Sequence, residues 1–184
     1  KFFTKKSPFK RIYIHPTVLT RDGKRMSKSL GTGIDPVGLI EKYGADALRF
    51  GLAYQNTGVQ DLKFGEDHIL MGKKFANKIW NASRFVISKT QISKVKSQNL
   101  ISKPKAKDLT LADKKILKSL ESVKKAISKN LEYLQFGKAC HTLYDFFWHE
   151  FCDKYIEESK KSFGAAQDKQ NEKTRNILMH VLLK

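Results

Sequence analysis

Residues 136–157 read FGKACHTLYDFFWHEFCDKYIE. Phe136, Ala139, Cys140, Leu143, Tyr144, Phe147, Trp148, Phe151, Cys152, Tyr155 and Ile156 recur at the three- and four-residue spacing of a helix. The apolar arc is too broad for a helix lying on a surface, so this stretch is expected in the middle of a helical bundle. Its neighbours keep the same period. Leu111, Ile116, Leu117, Leu120, Val123, Ile127 and Leu131 make the stripe of a preceding helix, and Ile177 to Leu183 begins another helix beyond it. Upstream, from Glu66 to about Ser88, Ile69, Phe75, Ile79, Ala82, Phe85 and Val86 fall largely on one face, widened by Leu70, Ala76 and Trp80. Trp80 and Trp148 are accordingly assigned to bundle packing. Residues 88–107, rich in Lys and Ser and containing Pro104, read as a solvated linker, and Lys160 to Lys173 reads as a loop around Gly164.

The first third of the chain is organised differently. Residues 9–19, FKRIYIHPTVL, are β-branched and aromatic and read as a strand interrupted by Pro16. A basic segment with Gly and Ser comes next. Asp35 then offers an N-cap and Pro36 a first helical residue. That helix runs through VGLIEKY to Gly44; a second, ADALRFGLAY, ends near Gln55; NTGVQDLKF reads as a loop with a short extended piece. The fold class is therefore mainly α, a helical bundle preceded by a small α/β segment, with the division at residues 1–65 and 66–184.

Composition narrows the function. The 184 residues carry 36 Lys+Arg against 18 Asp+Glu, a net charge of +18. Such a surplus favours a polyanionic partner, because each neutralised phosphate releases counterions. No apolar run reaches the length of a membrane span, and the basic start KFFTKKSPFK has no signal-peptide core. The missing initiator Met and the abrupt end VLLK suggest a fragment. Cys140 and Cys152, twelve residues apart, would lie about 18 Å apart on one helix, too far for a disulfide, and are expected as buried thiols. The five His show no metal-ligand spacing, and no metal site is expected.

The candidate chemistry lies at Arg25-Met26-Ser27-Lys28-Ser29, between the strand and the Asp35–Pro36 helix start. Short Lys/Ser words arise by chance in so basic a chain. The context is more telling: Asp22-Gly23 suits a tight turn, and Gly31 and Gly33 leave the loop free to move. A mobile cationic loop of this kind can close on a triphosphate and stabilise the charge that grows on leaving pyrophosphate.

DGKRMSKSLGTGIDP resembles the KMSKS signature loop of class I aminoacyl-tRNA synthetases. YGADALRFGLA resembles the helix that succeeds it in the subgroup activating Val, Ile, Leu and Met, and GVQDLKFGED, FANKIWNASRF and FFWHEFCDKYIE resemble the valine-specific branch. The resemblance covers residues 9–90 and 135–160. It implies that residues 1–65 are the end of a class I catalytic domain with connecting, stem-contact-like helices. It further implies that residues 66–184 are an anticodon-binding bundle, truncated at its C-terminus. Lys28 inherits the ATP contact, with Arg25 as second catalytic cation. Arg25 departs from the usual Lys, and the two are not interchangeable at a phosphate. Thr32 stands where Asn is common, with little consequence expected. The resemblance puts anticodon contacts on Lys78, Arg84 and Phe85; Asn81, between them at i+3 from Lys78, is added as a base-edge reader, and Lys73 and Lys74 are expected to touch the phosphate backbone. The implied setting is a cytoplasmic, monomeric ligase using ATP with Mg²⁺, valine and tRNA(Val). The HIGH motif, amino-acid pocket and editing domain are missing, so the chain alone is expected to be inactive in aminoacylation. An isoleucine or leucine enzyme, or a non-catalytic tRNA-binding module, is the alternative.

Overall fold

The structure, a computed structural model, describes residues 3, 5, 7–58, 60–90, 109–163 and 168–184. Most of the linker predicted at 88–107 lies outside these residues. The polypeptide order is β1 (Val18–Leu19), α1 (Pro36–Tyr43), α2 (Ala45–Gln55), β2 (Leu62–Lys63), α3 (Glu66–Thr90), α4 (Leu111–Glu132), α5 (Phe136–Asp145), a π-helical stretch (Phe146–Ile156), α6 (Glu157–Phe163) and α7 (Asp168–Leu182).

Local chemistry explains most boundaries. The Asp35 carboxylate accepts from the Val37 and Gly38 amides, and Pro36 occupies the first turn, where its missing N–H is not needed. Gly44, at φ 94°, ends α1 and opens α2. Thr110 and Asp113 form a reciprocal capping box at the start of α4. Asp113 is buried and also accepts from the Tyr155 hydroxyl at 2.7 Å, which ties this cap to the central helical run. Burial, and then the bond to Asp113, push the Tyr155 phenol well above its ordinary range.

Two apolar clusters form, and α3 serves both. Leu39, Ala47, Leu48, Phe64 and Ile69 make the first; Met26 and Val18 pack on it. Ala82, Val86, Ile116, Leu120, Phe146, Phe151, Cys152, Tyr155, Ile156 and the Ile177–Met179 run make most of the second. At the α2–α3 crossing the backbones nearly touch: a Cβ on Gly72 would sit 2.5 Å from the Ala47 carbonyl oxygen, and one on Gly51 2.7 Å from that of His68. The first segment is also fastened to the bundle at the α4–α5 turn. Arg11 donates to the Glu132 carbonyl at 2.7 Å, the Gly137 amide donates to the Asn56 carbonyl at 2.9 Å, and Tyr13 meets Phe136 edge-on.

Several expectations need correction. Residues 9–15 form no strand; Phe9, Ile12 and Ile14 are exposed, and only Val18–Leu19 pairs, parallel, with Leu62–Lys63. Apolar alternation makes a strand only where a partner edge exists, and among the described residues β2 offers just two positions. The loop expected over 160–173 is helical at both ends, because α6 runs to Phe163 and α7 starts at Asp168. Leu111, assigned to the α4 stripe, is 86% exposed in the first turn. Trp80, assigned to the bundle, is 66% exposed. Cys140 and Cys152 are free thiols; Cys152 is buried, and that burial pushes its thiol up to about 11.

Candidate functional site

The 20–33 loop is a folded object with an exposed tip. Its stem is the Leu19–Arg25 antiparallel bridge, closed by the Thr20 side chain, whose hydroxyl donates to the Lys24 carbonyl and accepts from its amide. Met26 anchors the next turn on the first apolar cluster. Thr32 then staples the signature residues. Its hydroxyl accepts from the Ser27 amide at 3.0 Å and donates to the Ser27 carbonyl at 3.3 Å, while its amide donates to the same carbonyl at 3.1 Å. Ser27 and Ser29 hydroxyls meet at 2.8 Å, and Gly31 turns at φ 65°. Lys28 and Arg25 are left exposed, and neither makes an ion pair among the described residues. Staple and tip together present cations on a short, hydrogen-bonded frame. Thr32 matters more than expected: the sequence offered only a residue-type mismatch, not the three bonds it makes.

The second candidate region is the C-terminal half of α3, where Lys78 and Phe85 are half-buried and Asn81 and Arg84 are exposed. Lys78 and Phe85, seven apart, face the central run and α6. The Lys78 ammonium is 2.7 Å from Asp153 Oδ1 and 4.9 Å from the Trp148 ring centre. That Lys78 bond, with help from His149, holds the Asp153 carboxyl below the usual range. Trp148 in turn stacks on Tyr144 at 5.2 Å. Phe85 is half-buried, edge-on to Phe163 at 6.5 Å, with Lys89 and Lys160 over its ring at 6.0 and 5.6 Å. Arg84 instead lies exposed on the far side of the helix with Asn77 and Trp80, and Asn81, three residues from Lys78 and four from Phe85, is exposed between the two sides. Of the expected phosphate-facing pair, Lys74 is exposed, whereas Lys73 donates to the Lys42 carbonyl at 3.2 Å. Lys42, bonded to Tyr43 and Glu66, has its own ammonium raised to about 12.

A signature loop on a two-strand support, succeeded by helices and a bundle, defines a class. Residues 2–65 match the family of class I tRNA synthetases (I, L, M and V), and residues 113–184 match the anticodon-binding domain of tRNA ligase. Residues 2–65 thus carry a class I tRNA synthetase segment and residues 113–184 an anticodon-binding domain. Its sequence is similar to valine–tRNA ligases in particular. It is 45% identical to that of Clostridium tetani over 97% of the chain, and 42% identical to that of Lactiplantibacillus plantarum over 98%. The chain spans about one fifth of the length of these relatives, 20% in both cases. Solved structures share the fold. The LeuRS of Agrobacterium radiobacter K84, in a ternary complex with tRNA and LeuAMS, superposes with TM-score 0.71 at 18% identity. That match covers 96% of this chain and 20% of that one. A methionyl-tRNA synthetase of Mycobacterium tuberculosis gives TM-score 0.67 at 20% identity over 91% of this chain and 32% of that one. Among the described residues no helix is long and apolar enough to cross a membrane.

Proposed function

We propose that this chain is the stretch of a valine–tRNA ligase that carries the signature loop and begins the reading of the tRNA(Val) anticodon. The observation that carries the reading is the exposed flank of α3 bearing Asn81 and Arg84, in a chain similar to valine–tRNA ligases along almost its whole length. Residues 68–90 contain Lys73, Lys74, Lys78, Arg84 and Lys89 and no carboxylate, so the helix is matched to a phosphate backbone. Unpaired loop bases stack on planar groups and are read along their edges by amides and guanidinium. Arg84 and Asn81 present those groups to solvent. Lys78 and Phe85 support the same helix from the side of the central run and reach RNA at its margin.

In the parent enzyme, valine attacks the α-phosphate of ATP and pyrophosphate leaves. Lys28 and Arg25 sit on the stapled loop where their charge can meet that leaving group, and a contact made on loop closure acts on the transition state. Mg²⁺ accompanies the triphosphate in such chemistry. Among the described residues no cluster of three His, Cys, Asp or Glu could hold an ion, and the loop tip is cationic, so these residues do not fit a metal site. The two-unit division at residue 65, a cytoplasmic setting and a monomeric parent complete the reading.

The test is equilibrium binding of a tRNA(Val) anticodon stem-loop to the chain at fixed salt. Arg84→Ala is expected to weaken it by about 5- to 150-fold, the value of about 1–3 kcal/mol for a base-directed contact. Asn81→Ala should weaken it less. Unchanged affinity in both variants contradicts the assignment.

A further inference from the structure

We infer that Trp80 is a base-stacking platform, the aromatic floor on which an unpaired base of an RNA loop rests while Arg84 and the flanking amides hold it. The inference rests on the anticodon reading above and adds a residue to it. Trp80 lies in the middle of α3 yet is 66% exposed, whereas the helix on either side of it buries Phe75 and Ala82. Its indole makes no ring stack or cation–π contact among the described residues, unlike Trp148, which is held by Tyr144 and Lys78. An indole exposed to this degree forgoes much of the stabilisation that burying so large an apolar surface supplies. Among the described residues no packing accounts for it.

The surroundings point to one kind of occupant. Asn77 precedes Trp80 by three residues and Arg84 lies four beyond it, so all three sit on adjacent turns of one face, and Asn81 borders it. All three polar neighbours are exposed. Ala76 and Ile87 extend the exposed apolar surface one and two turns along the helix, but a protein partner seeking that face would have to cover the guanidinium and two amides that flank the ring. An RNA base uses each of them: π-stacking on the indole, edge hydrogen bonds to the amides, and phosphate or planar contact with Arg84. The absence of carboxylates over residues 68–90 lets a polyanion approach without like-charge repulsion from this helix.

The chain has two tryptophans, so Trp148→Phe leaves Trp80 as the sole indole reporter. The expected result is a solvent-exposed emission that is quenched on titration with the anticodon stem-loop, with a midpoint equal to the affinity from anisotropy of labelled RNA. In a Trp148-intact background, Trp80→Ala should weaken binding about 5- to 150-fold, the range for one base–aromatic stack, and Trp80→Phe should restore most of it. Circular dichroism checks that the variants fold; an exposed position leaves the core untouched. RNA binding with no change in Trp80 emission, or full affinity in Trp80→Ala, overturns the platform while leaving the anticodon reading intact. A buried-type emission that depends on protein concentration and ignores RNA would assign the face to a second copy and overturn it too. Failure of the unaltered chain to bind the stem-loop at all removes the anticodon reading, and the platform with it.

Discussion

Gly137→Ala tests how the signature-loop segment is fastened to the bundle. Gly137 lies in the first turn of α5, and its amide donates to the Asn56 carbonyl at 2.9 Å. A Cβ there would sit 2.1 Å from that oxygen and 2.6 Å from its carbon. Ordinary carbon–oxygen contacts begin at about 3.3 Å, so α5 and the 56–57 backbone must part by about 1.2 Å. Both sides are main chain, and no side chain can rotate away. Forced contacts of this kind cost about 1–3 kcal/mol. The stretched amide bond adds about 1 kcal/mol, and the helical preference of Ala over Gly returns up to about 1 kcal/mol. The net loss is about 2 kcal/mol. With a urea slope of about 2 kcal/mol/M for a chain of this size, the midpoint measured by circular dichroism should fall by about 1 M. Gly31→Ala, where nothing lies within 4 Å but φ is positive, provides a comparison for strain without contact. A Gly137→Ala midpoint equal to or above that of the unaltered chain would refute the close-approach argument.

Thr32→Ala should remove both hydroxyl bonds to Ser27, so the Ser27 amide exchanges faster with solvent deuterium while Thr32→Ser retains its protection; unchanged exchange in the Ala variant contradicts the staple. Tyr155→Phe leaves a buried Asp113 oxygen without its donor and should cost about 1.5–3 kcal/mol by urea unfolding, the value of a bond to a charged group. The same burial predicts an alkaline limit. Tyr155 and Cys152 are both raised on folding, Cys152 to about 11, so above about pH 9 the unfolded chain releases protons that the folded chain keeps, and stability falls as pH rises. Flat stability from pH 8 to 11 would contradict that burial.

The parts of this molecule legible in the sequence are those set by neighbours along the chain. Asp35-Pro36 and Gly44 mark α1 because caps act within one turn. The aromatic period of residues 136–157 marks a buried run, although nothing in it announces the π-helical geometry that aligns Phe146, Phe151 and Ile156 at five-residue spacing. Trp80 is misplaced by a single stripe drawn along all of α3. The buried side of this helix turns with distance: Ile69 and Gly72 face α2, while Ala82 and Val86 join the bundle core. Averaging over both halves puts an exposed indole inside. The Lys78–Asp153 pair, 75 residues apart in sequence, and the Thr32 staple are products of tertiary geometry that residue types alone do not encode. The exposure of Lys28 and Arg84 is easier to anticipate, since an exposed cation needs no long-range partner.

The central claim is that this chain distinguishes one anticodon from others through α3. The direct measurement is the affinity of the unaltered chain for two stem-loops identical except for the anticodon, one carrying that of valine and one that of isoleucine, at the same salt concentration. Tighter binding of the valine loop, with the preference reduced in Arg84→Ala, is the expected result. Equal affinity for the two loops would contradict it.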